Sequence, residues 1–544
     1  FVFPQQPKPN FSFPLLKLYR FLINNTRMER ASPQLLSPTQ ELSSPPSTRA
    51  TCTMKPCTVR LVMLALLLVC SALIGVSVVM GRQQGDDGHN NSATTTWDDV
   101  LAFLKQGVTD GVTPGAVAVV GNDKEIFFSE AVGHFTYGKF PAPVTNTNPA
   151  TTLETLFDMA SITKVLTTTT AVAQLYQNGD LDLDWKLADP RLFGPDYANN
   201  GKELITIRNC LLHNAGFPPD PVPNYWDKSF GCPETAKYHP GMSFNCQDKI
   251  YTAVLKQPLV NPVGAVYVYS DLSMINLMYV VGKIAREKKY VSSSDLIPGC
   301  DQGGLGGNLC YFEAYVRVHV LGALGMTSSG FRPPKELWGQ CAPAWNDTSY
   351  RHEVIQGTVS DGNAYANGGI SGHAGLFSKA SDIQKELRMW LYPESNPSAK
   401  GFLNSTTVET FTQCYNSSQS SRALGWDTNN QANTIRTCSA LSDKTFLHLG
   451  YTGTQVCLDP ERKIFTMLLT NRVYPLTSNT KIMDYRRTMD PLPCEAVDSI
   501  SLCSSGSANR TLWCFRYCLL ATGIMMRLMN TPKAHRQVVA TNVT

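Results

Sequence analysis

The sequence predicts an α+β fold: an antiparallel sheet assembled from both ends of one domain, flanked by helices, with a helical lobe between them. Three observations lead to it. An early pair of apolar runs, "GAVAVVG" and "EIFFSEAVG", is joined through Asn122-Asp123, a turn-favouring pair, and reads as a β-hairpin. Three late runs, "TFLHLG", "TQVCLD" and "IFTMLLTN", stand at hairpin spacing with "PERK" as a turn. Residues 185–330 between them carry mostly helical patterns broken by Pro/Gly loops.

The flanking elements follow from periodicity. In residues 97–111, Val100, Leu101 and Leu104 share one side of an amphipathic helix, and "SNTKIMDYRRTM" suits a closing helix. Residues 157–184, "FDMASITKVLTTTTAVAQLYQNGDLDLD", hold an apolar-periodic run behind Ser161 and Lys164. Tyr269-Ser270-Asp271 lies between a strand-like run and a further helical pattern, and His448-Leu449-Gly450 lies on a late strand.

Composition excludes several function classes. Of 544 residues 43% are hydrophobic and 17% charged, as a folded domain requires. The net charge is +4 and no run of five basic residues occurs, so nothing points to nucleic acid. There is no CxxC pair and no HExxH among nine histidines, and neither a metal nor a cofactor is expected.

Regional composition divides the chain. Residues 1–53, rich in Pro, Ser and Gln, read as a disordered or non-native extension. Residues 54–81 contain the apolar run 61–80, which as a helix spans about 30 Å, a bilayer's hydrocarbon thickness. Lys55 and Arg60 precede it, so it reads as a signal anchor or a cleaved signal, with the rest extracellular or luminal. Residues 82–96 are a polar linker, 97–487 the folded domain, and 488–544 a cysteine-containing tail without an assigned role. Sequons at Asn90, Asn346, Asn404, Asn416, Asn509 and Asn542 agree with export and a glycoprotein. Of 16 cysteines, Cys232/Cys246, Cys300/Cys310 and Cys414/Cys438 bracket polar loops as disulfides would, whereas Cys210 and Cys457 sit in apolar surroundings as free thiols would.

Chemistry concentrates at Ser161. A serine hydroxyl needs a base to become a nucleophile, and Lys164, three residues on, shares its helical face. A helix cap followed by a surface lysine accounts for the same letters, and Ser478 and Lys481 repeat the spacing. Order along the chain distinguishes the two pairs. Ser161-x-x-Lys164, Tyr269-Ser270-Asp271 and His448-Leu449-Gly450 resemble the S-x-x-K, Y-x-N and K/H-T-G motifs of the serine β-lactamase and penicillin-binding protein superfamily. For the third motif Lys444-Thr445-Phe446 and Tyr451-Thr452-Gly453 lie nearby, and His448-Leu449-Gly450 is preferred because its glycine allows close substrate approach. "LITIRNCLLHNAGFP", "ALGMTSSGF" and "GGISGHAGLFSKASDI" are similar to further segments of that family, in the same order across residues 97–487.

The resemblance implies a β-lactamase/transpeptidase-like fold and the branch of class C β-lactamases, family VIII esterases and DD-peptidases. It implies Ser161 as nucleophile, Lys164 as modulator and Tyr269 as general base. The N–H groups of Ser161 and Tyr451 would form an oxyanion hole beside Gly450, and His448 would meet the acidic end of a substrate. Two departures bear on specificity. Asp271 stands in place of Asn and offers no amide N–H, and Leu449 in place of Thr lacks a hydroxyl. Both weaken carboxylate recognition more than hydrolysis, so a small ester, amide or D-amino-acid peptide is the expected substrate. A catalytically silent surface module would be expected to lose Ser161, Lys164 or Tyr269. His373 and His213 read as structural residues, Asn214 and Arg472 as loop ties. The absence of G-x-S-x-G argues against an α/β-hydrolase.

Overall fold

The computed structural model describes residues 95–497 apart from 140, 233–242, 395–400, 431–436, 439, 490, 491 and 494. The apolar run 61–80, the extension 1–53, nearly all of the linker, and sequons Asn90, Asn509 and Asn542 lie outside the described residues. Among the described residues no helix is long and apolar enough to cross a membrane.

In chain order the strands are β1 (Gly115–Gly121), β2 (Ile126–Gly133), β3 (Phe157–Asp158), β4 (Gly330–Phe331), β5 (Asn346–Asp347), β6 (Glu353–Val354), β7 (Leu376–Ser378), β8 (Asp427–Thr428), β9 (Phe446–Leu449), β10 (Gln455–Asp459) and β11 (Ile464–Thr470). The main sheet has the order β2-β1-β11-β10-β9-β8, antiparallel throughout. The first hairpin therefore meets the last strand, Ala116 opposite Thr470, and the two ends of the domain close one sheet. Two small sheets, β3-β7-β4 and β5-β6, have too few residues each to show a period in the sequence.

Side-chain alternation makes the sheet the middle layer of three. Val117 and Val119 of β1, with Phe465, Met467 and Leu469 of β11, face the large core shared with the helical lobe. Ala116, Ala118 and Val120 point the other way, onto Val100 and Leu104 of helix Trp97–Thr109 and onto Ile482 and Tyr485 of the closing helix. The first helix starts at a reciprocal cap. Thr96 accepts the Asp99 N–H while the Asp99 carboxylate accepts the Thr96 N–H. Leu101, expected on the buried side, is half-buried and borders this cluster. Packing continues past residue 487, since Leu492, Ala496 and Val497 join the same cluster.

Helix Asp271–Glu287 is apolar nearly all round and runs through the lobe beside helix Asn308–Tyr315. The strand-like run ahead of Tyr269 forms no strand. It is held as an extended segment against the His213–Pro219 loop, whose carbonyls accept from Val268 N–H and Asp271 N–H.

The cysteines correct part of the expectation. Cys232–Cys246 and Cys300–Cys310 are disulfides, and Cys210 is a buried thiol. The third disulfide joins Cys438 to Cys457, not to Cys414, which is free and half-buried. Cys457 lies on β10 with an apolar neighbourhood because its partner is in that neighbourhood too: both belong to a small cluster with Leu441, Leu447 and Ile464. Asn346, Asn404 and Asn416 are exposed.

Candidate active site

The serine sits in a turn that is not an ordinary helix start. Ala160–Ile162 is a single 3-10 turn, Lys164–Thr169 is a π-helical stretch, and α-helix begins only at Thr170. Ala160, directly before the serine, has φ of +47°, strained for a residue with a Cβ. Asp158 holds it there, accepting the Ala160 N–H at 2.9 Å with one oxygen and the Ser360 N–H at 2.7 Å with the other. Thr170 Oγ1 donates to the carbonyl of Val165, five residues back, as the wider π turn permits. The cap position of that turn is Met159, and Ser161 lies inside the turn.

Lys164 Nζ lies 3.0 Å from Ser161 Oγ, 3.1 Å from the His373 carbonyl and 2.7 Å from Asp271 Oδ1, and is 4.9 Å from the Tyr269 ring centroid. The Asp271 contact is an ion pair without ideal hydrogen-bond alignment. Complete burial pushes Lys164 toward the neutral amine, but the charges and hydrogen bonds of Asp271 and Tyr269 outweigh it and hold its pKa above the ordinary lysine value. Three acceptors around one ammonium describe a protonated lysine.

Asp271 begins helix Asp271–Glu287, where the helix dipole favours a negative charge. It also stands 3.9 Å from His373 Nε2, which is 2.9 Å from Asp361, while His373 Nδ1 pairs with Ser371 Oγ at 2.7 Å. Burial opposes the His373 charge, but Asp271 and Asp361 prevail and raise its pKa; Asp361 is drawn down to about 2 against its own desolvation. Among the described residues Asp271, Asp361 and His373 are the one group spaced to hold a metal ion. Their charges are spent on one another and on Lys164, so the donor set fits a salt-bridge network better than a cation site.

Tyr269 has a different surrounding. His213 is 4.7 Å away between ring centroids and His448 6.2 Å; the Arg422 guanidinium lies 5.2 Å from the phenol ring. Desolvation, then Arg422 and Lys164, push both imidazoles well below the usual histidine value. They are neutral. His213 Nδ1 accepts the Ser270 N–H at 3.1 Å and so fixes the peptide after Tyr269.

The third motif packs on the serine turn. A Cβ at Gly450 would meet Thr454 Oγ1 at 2.0 Å and the Met159 carbonyl at 2.7 Å, so only glycine lets this strand end approach. Thr452 Oγ1 donates to the Asp158 carbonyl and Thr454 Oγ1 to that of Met159. Gly453, at φ +108°, closes the turn between them. His448 departs from its expected place. It is 3% exposed, directs Nδ1 to the Leu449 carbonyl, and carries no charge to offer an acidic group. Asn214 and Arg472 act as loop ties: Asn214 bonds Asn209 and Gln419, and Arg472 bonds the carbonyls of Tyr451, Thr477 and Asn479.

A cavity of about 510 Å³ opens over Ser161, with Tyr269, Asp271, His373 and Tyr451 in its wall and Trp226 and Trp345 among its aromatic lining. The sequence matches the family described as Beta-lactamase over residues 100–487. The chain belongs to the beta-lactamase family. It is similar to a Salmonella agona (strain SL483) protein named "putative D-alanyl-D-alanine carboxypeptidase", 28% identical over 400 residues, covering 69% of this chain and 83% of that one. A protein of the same name from Escherichia coli (strain K12) is 27% identical over 382 residues, covering 66% and 78%. Two solved structures share the fold: EstCE1, a hydrolase with promiscuous acyltransferase activity (TM-score 0.52, 17% identity, 73% of this chain and 97% of that one), and a penicillin-binding protein homolog from Caulobacter crescentus (TM-score 0.52, 15% identity, 74% and 97%). This beta-lactamase-family chain thus carries the antiparallel sheet and helical lobe of β-lactamase-like serine hydrolases.

Asp361, Asp158, Thr454 and Arg422 carry no signal that sequence reasoning singles out. Asp361, Thr454 and Arg422 act through fold contacts far along the chain, and Asp158, three residues before Ser161, ties the serine turn to Ser360, 202 positions away. His373 was noticed in its glycine-rich loop, and its link to Asp271 has no sequence signature.

Proposed function

We propose that the protein is a serine hydrolase that works through an acyl-serine intermediate, with Ser161 as nucleophile and Tyr269 as general base. The observation that carries this reading is the commitment of the Lys164 ammonium to Ser161 Oγ, the His373 carbonyl and Asp271. A lysine so bound is a poor proton acceptor, which leaves Tyr269, as phenolate or through a shared proton, as the base beside it. In acylation the Ser161 proton passes to the Tyr269 oxygen while Oγ bonds the substrate carbonyl carbon. The bond to the leaving group then breaks, and that group takes the proton from Tyr269. Water repeats the exchange in reverse and frees Ser161. The negative oxygen of each tetrahedral intermediate is placed between the N–H groups of Ser161 and Tyr451. Arg486 binds the Gly450 carbonyl at 3.1 Å, and in a trans peptide the Tyr451 N–H then points away from Arg486. That supports Tyr451 as the second donor.

For the substrate, the charge of the cavity favours an ester or amide whose leaving side is neutral or carries an amine. Asp220, Asp271, Asp347 and Asp361 line it, against Arg351 and His373. Arg351 is spent on Asp347 and on the carbonyls of Val359 and Ser360. A peptide ending in a free carboxylate, as the relatives' name implies for them, would find no uncommitted cation in this wall. A D-amino-acid ester or amide keeps the same acyl half without that charge. Export is part of the proposal, supported by three disulfides that persist in an oxidising compartment.

The test is a fluorophosphonate or β-lactam probe read by intact mass on wild type, Ser161→Ala and Tyr269→Phe. Wild type should gain one adduct, Ser161→Ala none, and Tyr269→Phe should label far more slowly. An unlabelled wild type, or equal labelling of Ser161→Ala, overturns the reading.

A further inference from the structure

Arg422 is a buried cation that no motif explains. It precedes β8, its side chain is 9% exposed, and its Nη1 has no hydrogen-bond partner. The remaining nitrogens are only partly engaged. Nε donates to Tyr267 Oη at 3.1 Å, and Nη2 lies 3.4 Å from Asp427 Oδ2. A guanidinium with an unsatisfied buried edge is costly, and a purely structural arginine would be expected to saturate its fork with carbonyls, as Arg351 and Arg472 do here.

Its position gives it an electrostatic use. The guanidinium stands over the Tyr269 ring at 5.2 Å and the Tyr267 ring at 5.6 Å, while Lys164 approaches Tyr269 at 4.9 Å. The groups facing Tyr269 are therefore Lys164 with its partner Asp271, Arg422 with its partner Asp427, the two imidazoles of His213 and His448, and the Tyr267 phenol. Lys164 is largely compensated by Asp271 at 2.7 Å. Asp427, farther off and 26% exposed, compensates Arg422 less. The imidazole of the third motif, His448, is neutral and adds no charge.

Resting on the catalytic reading above, we infer that Arg422 is a positioning residue for the reaction: a second fixed cation that holds Tyr269 as the proton-accepting phenolate. The charge comes from the segment before β8, and the motif strand β9 supplies only a neutral ring. Arg422 touches neither substrate nor Ser161; it acts through Tyr269.

The experiment is the pH profile of probe acylation on the full chain, for wild type, Arg422→Gln, Arg422→Lys and Asp427→Asn, with phenolate absorbance taken as the difference from Tyr269→Phe. Loss of the cation should move the acid-limb midpoint and the phenolate titration up by about 1 pH unit or more. Arg422→Lys should stay near wild type. Asp427→Asn leaves the cation less compensated and should move both midpoints down. That variant decides the matter even where Arg422→Gln fails to fold. Rates or melting temperatures that fall with every midpoint unchanged would assign Arg422 a structural role and overturn the inference while leaving the catalytic reading intact. A wild type that takes no label, or that lacks a Tyr269-dependent limb, removes the catalytic reading and this inference with it.

Discussion

The two walls that meet at Ser161 solve the burial of ionisable groups in opposite ways. On one side Lys164, Asp271, His373 and Asp361 stay charged because each lies within ion-pair reach of an opposite charge. On the other, His213 and His448 surrender their protons because burial and the cations Arg422 and Lys164 act on them together. The same residue type, histidine, is protonated in one wall and neutral in the other, 4.7 Å and 6.2 Å from the Tyr269 ring in the neutral case. Identity does not set protonation in this cleft; the nearest charges do. A serine held by a protonated lysine and a phenol flanked by neutral rings and cations thus stand in two different fields.

The largest break of that division is Lys164→Met. It removes the ammonium beside Ser161 and strands Asp271, and acylation by the probe should fall about 10⁴-fold. Tyr269→Phe removes the acceptor but leaves the charged wall whole, so labelling should fall about 10³-fold with melting temperature nearly unchanged. Comparable stability loss in the phenylalanine variant would contradict the separation of the two walls.

Asp271→Asn separates the ion pair from the nucleophile. Lys164 is then buried with less compensation, at a cost of about 3 kcal/mol in urea unfolding. The sign of its pH dependence follows from Lys164. Its folded pKa is raised, so the stabilisation is complete below the unfolded lysine pKa of about 10.4 and is lost as pH rises through the folded value. The gap between wild type and Asp271→Asn should be full at neutral pH and close in strong alkali. A gap independent of alkaline pH would exclude the ion pair as its source.

A third buried carboxyl sharpens the contrast, since it has no cation. Glu386 lies 2.7 Å from Thr170 Oγ1, whose own proton goes to the Val165 carbonyl, and burial pushes the Glu386 pKa up to about 8. Because the folded value exceeds the unfolded one, stability is complete below pH 4.5 and declines as pH rises through the window up to about 8. Glu386→Gln should flatten that decline, and unfolding curves across the window measure it. The smallest effect is expected at Cys414→Ser, within about 0.5 kcal/mol of wild type. Cys438→Ser, which opens the Cys438–Cys457 bridge, should cost about 2–4 kcal/mol.

Much of the fold was legible because alternation and turn chemistry are local. The first hairpin, the three late strands and both flanking helices declare themselves within a dozen residues each. The 3-10 and π stretches through Ser161 and Lys164 were not legible, since "ASITKVLTTTT" carries the same apolar period that a plain helix would. The disulfide of Cys438 was misread for a related reason. The polar stretch between them suggested Cys414, whereas the β9–β10 pairing brings Cys457 to Cys438 instead.

By itself the sequence determined the family and the order of the three motifs that contain Ser161, Lys164 and Tyr269, because these rest on residue type and order along the chain. Only the tertiary structure decided that His448 is a neutral strand residue, that Asp271 pairs with Lys164, that Asp361 pairs with His373, and that Arg422 stands over the Tyr269 ring. Protonation and pairing depend on distances of a few ångströms between residues as far apart in sequence as Lys164 and His373, 209 positions, and linear order carries no such distance.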